Sequence, residues 1–338
     1  MRTPGIADME FSFTDKSNLD FRIDKITGHK ETFTYDDLNR LTGWHIYKNN
    51  IWLKSDNMTY NPTGTIATTS TLDNYSLTYG EGNSKPDALT SVLGTPSSIP
   101  TNDLTIGYTD FKKVKTLSEG DKQYDIIYGV DDQRKLSVYT QGKVKKITRY
   151  YIENYDEEIN SSGNIRKIHY LPGGAVYIEN GRDSLLFLYT DYQNNLLAIT
   201  DENGNVLERH SFDPWGNRRN PEDWSQKDSR HVWSLNRGYT MHEHLDEFGI
   251  INMNGRVYDP LTACFFSPDP FVQAPDKWLN YNRYAYGLNN PLSYIDPSGE
   301  IVWFIPVIIG AVVGAYTGAS IQSGTCLLYT SDAADDLI

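Results

Sequence analysis

The sequence predicts an all-β protein of short antiparallel strands, and three observations carry that expectation. Aromatic residues make up 13% of the 338-residue chain, with 24 Tyr, 12 Phe and 7 Trp beside 26 Gly. Aromatics favour strands, while Gly, Asn and Asp supply the tight turns between them. FTDKSNL at 13–19 also aligns with YDDLNRL at 35–41, an offset of 22 residues, as aromatic, Asp, polar turn and Leu. Last, Asn203-Gly204 lies between NLLAIT and VLERHSF, the signature of a two-residue hairpin turn.

Taken in order, the repeat echoes at YNPTGTI (60–66), YGVDDQRKL (128–136) and YTDYQNNLLAIT (189–200). A lone hairpin cannot bury its own apolar face, so stacked hairpins should form one continuous sheet, each tyrosine packing on the next repeat. GEGNS (80–84) and LPGGAVY (171–177) read as turns within that sheet.

Composition narrows function. Net charge is −13, from 31 basic and 44 acidic residues, and no basic block occurs. A nucleic-acid partner is therefore not expected, because phosphate neutralisation needs a clustered cationic face. Cys264 and Cys326 cannot build a disulfide framework or a zinc knuckle, and no apolar leader opens the chain. GxSxG, GxxxxGK[ST] and HExxH are absent, so no cofactor is expected. In HEHLDEFG, His242, His244 and Asp246 would share one strand face. Three ligands could begin a metal site, yet imidazoles bonded to neighbouring backbone explain them as well, and no metal is expected.

Composition shifts after Gly299. Residues 301–321 carry no charge and are long enough to cross a bilayer as a helix. Gly310, Gly314 and Gly318 would flatten one helical face for close packing, in lipid or against the inside of the protein. Residues 326–338, CLLYTSDAADDLI, fit nothing before them and read like a translated transposase sequencing adapter. Such a peptide has no reason to pack against the rest of the protein.

YDDLNRLTG resembles the repeat signature of the Rhs/YD-repeat family. The stretches YTDYQNNLLAITDENGNVLERHSFDPWGNRR, RGYTMHEHLDEFGIINMNGRVYDP, FFSPDPFVQAPD and NRYAYGLNNPLSYIDPSG together resemble its repeat-associated core. The resemblance implies a β-strip curling into part of a hollow shell, with degenerate repeats over 1–185 and the core over 186–300. Residues 301–325 would then begin a variable C-terminal toxin domain, cut short here. The implied function is to encapsulate and deliver that toxin from a bacterium, secreted or at the cell surface, with an immunity protein and a secretion apparatus as further partners. The alternative is a cell-surface module binding carbohydrate or protein, with no processing activity.

Four Asp-Pro steps, at Asp213, Asp259, Asp269 and Asp296, pose the chemical question. Each presents a carboxylate at a strand end or turn. The Rhs core implies an intramolecular aspartyl protease around its RxYDP and SPDP motifs, which match Arg256, Asp259 and Asp269. It cuts after a terminal DPxGL, matched here by Asp296, Pro297 and Gly299, with Glu300 in place of leucine. Asp259 and Asp269, ten residues apart, could face each other across a hairpin and share a proton, with Arg256 holding the ionised partner. Cleavage should be slow unless the pocket accepts an acid. Asp213 and Asp296 are expected to cap turns, and the plain alternative is that Asp259 and Asp269 do so too.

Overall fold

The computed structural model describes residues 2–82, 84–99 and 102–304. Within them the chain is almost wholly antiparallel β, with four short 3-10 turns and no α-helix. Nine strands, from Arg2–Thr3 to Leu89–Leu93, form one sheet in sequence order. Eleven more, from Leu104–Tyr108 to Val206–Arg209, form a second in the same manner. Each sheet is an uninterrupted meander, as repeated hairpins require.

One turn geometry recurs through both sheets. The amide of Asp36 donates to the Arg40 carbonyl at 3.0 Å, and Asn39 sits at φ +62°. The Asp36 carboxylate accepts the amides of Leu38 and Arg40 at 3.0 and 2.9 Å, satisfying donors that the tight loop strands. Asp191, Asp201 and Asp213 build the same loop onto Asn195, Asn205 and Asn217, each at 3.0 Å. Asn203-Gly204 therefore lies inside this longer loop, not in a two-residue turn, because Asp201 captures the amides of both Asn203 and Asn205. Gly204 takes the left-handed position, at φ +80°.

Four of the tyrosines that open these loops reach back, whereas Tyr108 donates forward to the Phe266 carbonyl at 2.8 Å. Tyr35, Tyr60, Tyr79 and Tyr128 donate to the carbonyls of Leu19, Leu41, Ile66 and Val114, at 2.6–2.8 Å. Each hydroxyl thus ties a hairpin to the one before it, while its half-buried ring packs against the apolar clusters of the sheets.

Residues 210–304 pack against both sheets. Trp215, Trp224 and Leu292 join Leu19, Leu41 and Trp44 of the first sheet in one apolar cluster. Leu245, Phe248, Ile250 and Val257 join Leu117, Tyr124 and Ile126 of the second. Buried ion pairs cross the same seams. Glu31 holds Arg22 and Arg219, and Glu243 holds Arg134 and Arg149.

The apolar C-terminal segment begins as strand, not helix. Trp303–Phe304 pairs with Tyr294–Ile295, giving its backbone a partner without a helical turn. Among the described residues no helix is long and apolar enough to cross a membrane. The remainder of the predicted helix, with Gly310, Gly314 and Gly318, and residues 326–338 lie outside the described residues.

Candidate functional site

Arg256 is the centre of the candidate site. It precedes the short strand Val257–Asp259, and its guanidinium lies buried 3.6 Å from the Phe265 ring centroid. Burial lowers its pKa, and the neighbouring carboxylates of Asp269 and Asp296 oppose that. Nη2 lies 2.8 Å from Asp296 Oδ2 and 3.1 Å from Asp269 Oδ2. Two acids that are 27 residues apart in sequence therefore meet on one nitrogen.

Each acid is held by backbone as well. Asp269 Oδ1 accepts the Phe271 amide at 2.8 Å, while its own amide donates to the Arg283 carbonyl at 2.8 Å. Arg283 returns the favour through Nε to the Asp269 carbonyl. Burial pushes the Asp269 carboxyl up, Arg256 pulls it down, and the nearby Asp296 charge adds to the rise. Asp296 is fully buried. Its Oδ1 accepts the Ile301 amide at 3.0 Å, and its carbonyl meets His242 Nε2 at 2.9 Å.

The chain between Asp296 and Ile301 is pinned across this pair. Arg256 Nε donates to the Gly299 carbonyl, and the Gly255 amide donates to the Ser298 carbonyl at 2.9 Å. Gly299 adopts φ +74°, where an added Cβ would lie 2.2 Å from the Met253 carbonyl oxygen. Only glycine lets the loop lie that close.

Asp259 stands apart from this cluster. Its Oδ1 accepts the Leu261 amide at 2.9 Å and its Oδ2 the Thr262 hydroxyl at 2.7 Å, so it closes its own turn. Burial raises its carboxyl pKa, and the Thr262 and Leu261 bonds oppose that. The expected Asp259–Asp269 hairpin pair is thus replaced by Asp269 with Asp296. Asp213 is a repeat-turn aspartate, accepting the amides of Trp215 and Asn217, each at 2.9 Å. Pro297 and Glu300 flank the pinned loop, and Glu300 pairs with Lys113 at 3.0 Å.

The HEHLDEFG histidines both serve backbone. His242 braces the Asp296 carbonyl, while His244 Nε2 accepts the Tyr239 amide at 3.0 Å. Burial lowers the His242 pKa to about 4, keeping its imidazole neutral. Asp246 Oδ1 is held by Arg218 at 2.8 Å and lies 3.9 Å from His244 Nδ1. Among the described residues no cluster of three metal-ligating side chains occurs. Sequence reasoning missed His242 as a brace and Glu243 as an anchor, since their partners lie on distant segments.

No family model matches the chain. Over 143 residues it is 33% identical to the tRNA3(Ser)-specific nuclease WapA of Bacillus spizizenii, a stretch covering 42% of this chain and 6% of that protein. Its fold is similar to a crystal structure of TcdB2-TccC3-TEV, with TM-score 0.68 and 15% identity, over 88% of this chain and 17% of the other. A crystal structure of TcdB2-TccC3 without its hypervariable C-terminal region is similar too, with TM-score 0.65 and 16% identity, over 87% and 17%. The chain thus spans under a tenth of that WapA relative and under a fifth of those solved chains, and the fold it shares with the latter is a long β meander closed by a packed C-terminal segment.

Proposed function

We propose that this chain is wall and core of an Rhs-type toxin shell, and that Asp269 and Asp296 cut it between Glu300 and Ile301. The reading covers delivery from a bacterium of an effector encoded after the core, with an immunity protein and a secretion apparatus as partners. Supporting it are the resemblance of 186–299 to the Rhs core and the TcdB2-TccC3 likeness, one of whose structures is described as lacking a hypervariable C-terminal region.

One observation carries the cleavage reading: the Asp269–Asp296 pair meets on Arg256 Nη2 while Asp296 Oδ1 holds the Ile301 amide. Water would attack the Glu300 carbonyl carbon as the Asp296 carboxylate takes one of its protons. The raised Asp269 carboxyl gives its proton to the carbonyl oxygen, forming a tetrahedral diol. Asp296 then passes its proton to the Ile301 nitrogen as the C–N bond breaks, and Asp269 recovers its own from the diol. Proximity is inherent, because the substrate is the pinned loop itself.

The test is intact-mass spectrometry of the purified full chain, following a break after Glu300. Wild type and Asp259→Asn should yield the fragment, since asparagine can still close the 259–262 turn. Asp269→Asn and Asp296→Asn should not. Cleavage surviving in the last two, or lost only in Asp259→Asn, would overturn the assignment.

A further inference from the structure

The residue before the proposed cut is Glu300, an acid where the Rhs resemblance has leucine, and its side chain has a fitted site. Gly255 forms the floor. A Cβ added there would lie 2.4 Å from Glu300 Cγ and 2.9 Å from Oε1, so any larger residue would fill the space that the acid occupies. Lys113 closes the far end, its Nζ 3.0 Å from Glu300 Oε1.

Lys113 is not a loose surface cation. It ends a repeat loop of the second sheet, where the Thr109 amide donates to its carbonyl at 2.9 Å. Its own amide donates to Thr109 Oγ1 at 3.1 Å. Its ammonium also donates to the Asp132 carbonyl at 3.1 Å, which aims the side chain along the sheet. The two side chains are only 14% and 27% exposed, so their attraction is less screened than at an open surface.

We propose that Lys113 is the specificity-determining residue of the self-cleavage site, selecting an acidic side chain at the residue whose carbonyl is cut. The inference rests on the self-cleavage reading. Leucine at 300 would leave the Lys113 ammonium partly buried without its carboxylate, which costs more than the apolar contact returns. The Lys113–Glu300 contact anchors the residue that carries the scissile carbonyl, beside the bonds that hold Ser298, Gly299 and Ile301. Losing it loosens the placing of that carbonyl relative to the two aspartates. The acid at 300 and the lysine at 113 therefore act as one matched pair.

The experiment compares cleavage rates of full-length variants. Wild type should outpace Glu300→Leu roughly tenfold, the scale of a charged hydrogen bond lost in the transition state. Lys113→Arg should retain most of the rate, and Lys113→Met should lose about as much as Glu300→Leu. In the Lys113→Met background the preference should invert, with Glu300→Leu now the faster. The charge swap Lys113→Glu with Glu300→Lys should recover most of what either change alone loses. A rescue by second substitution cannot arise from a misfolded sheet. If wild type is cut but its preference for Glu over Leu survives Lys113→Met, this inference is overturned and the carboxylate pair stands. If wild type is not cut at all, the self-cleavage reading fails and takes this inference with it.

Discussion

The Tyr35 hydroxyl donates to the Leu19 carbonyl at 2.8 Å, binding the end of one hairpin to the start of the one before it. Tyr60, Tyr79 and Tyr128 repeat the bond. Burial pushes the Tyr35 phenol well up, so it stays a donor. The aromatic of the repeat is thus fixed by two demands at once, an apolar ring for the sheet face and a hydroxyl for a neighbouring carbonyl.

Tyr35→Phe keeps the ring and removes only the hydroxyl. It should lower stability by about 1 kcal/mol, the net worth of one internal hydrogen bond. Urea denaturation with an unchanged m-value would check this. A change near zero would show that the ring alone holds the repeats together.

Glu243 is fully buried and lies against the guanidinium groups of Arg134 and Arg149. Burial alone would raise its pKa, but the two arginines outweigh it and hold the carboxyl at about 2, below its ordinary 4.5. A depressed folded pKa means stability present above the unfolded value and lost as pH falls through the folded one. Glu243→Gln should therefore cost roughly 3–5 kcal/mol at neutral pH, as removing one member of a buried ion pair does. The gap between variant and wild type should narrow between about pH 4.5 and 2. Denaturant midpoints across that range would check it, and a constant gap would sink the electrostatic account.

Cleavage by the proposed pair needs a proton on Asp269, whose pKa is raised by burial and by the Asp296 charge against the pull of Arg256. Protonation is lost as pH rises through that elevated value. The rate should accordingly fall on an alkaline limb placed above the ordinary aspartate range. A pH–rate profile of full-length chain would show it. A limb at or below the usual aspartate value would remove Asp269 from the proton-donor role.

What the sequence disclosed follows the reach of each interaction. The repeat loop is local: Asp36, Asn39 and Arg40 lie within five residues, so their bonds write themselves into a short motif. The carboxylate pair is not local. Asp259 and Asp269 are close in sequence and invite pairing, yet Thr262, three residues on, captures the Asp259 carboxylate first. Asp296 arrives from 27 residues past Asp269, carried by folding that no motif spacing encodes. Glu243 and its arginines are 94 and 109 positions apart and belong to different sheets, so nothing local marks them as partners. The apolar 301–321 run has helical length, but the first of it pairs with Tyr294–Ile295 as strand.

Gly299 provides the sharpest test of the loop that presents the bond. At φ +74° any side chain is strained, and a Cβ would also press to 2.2 Å from the Met253 carbonyl oxygen and 2.9 Å from the Arg256 amide nitrogen. Gly163, at φ +81° in a repeat turn, would be strained alike but meets nothing within 4 Å. Both Gly→Ala variants should lose about 1–2 kcal/mol from the left-handed backbone. Only Gly299→Ala must also push the loop away from Arg256, shifting the neighbouring Glu300–Ile301 peptide that Asp296 Oδ1 holds through the Ile301 amide. A displacement of about an ångström costs on the order of a hundredfold in rate. Gly299→Ala should thus nearly abolish the fragment, while Gly163→Ala should form it at the wild-type rate. Thermal melts beside mass spectrometry separate the two effects. If Gly299→Ala is cut as fast as Gly163→Ala, the bond is not presented by the loop as it lies here, and the Asp269–Asp296 pair is aimed elsewhere.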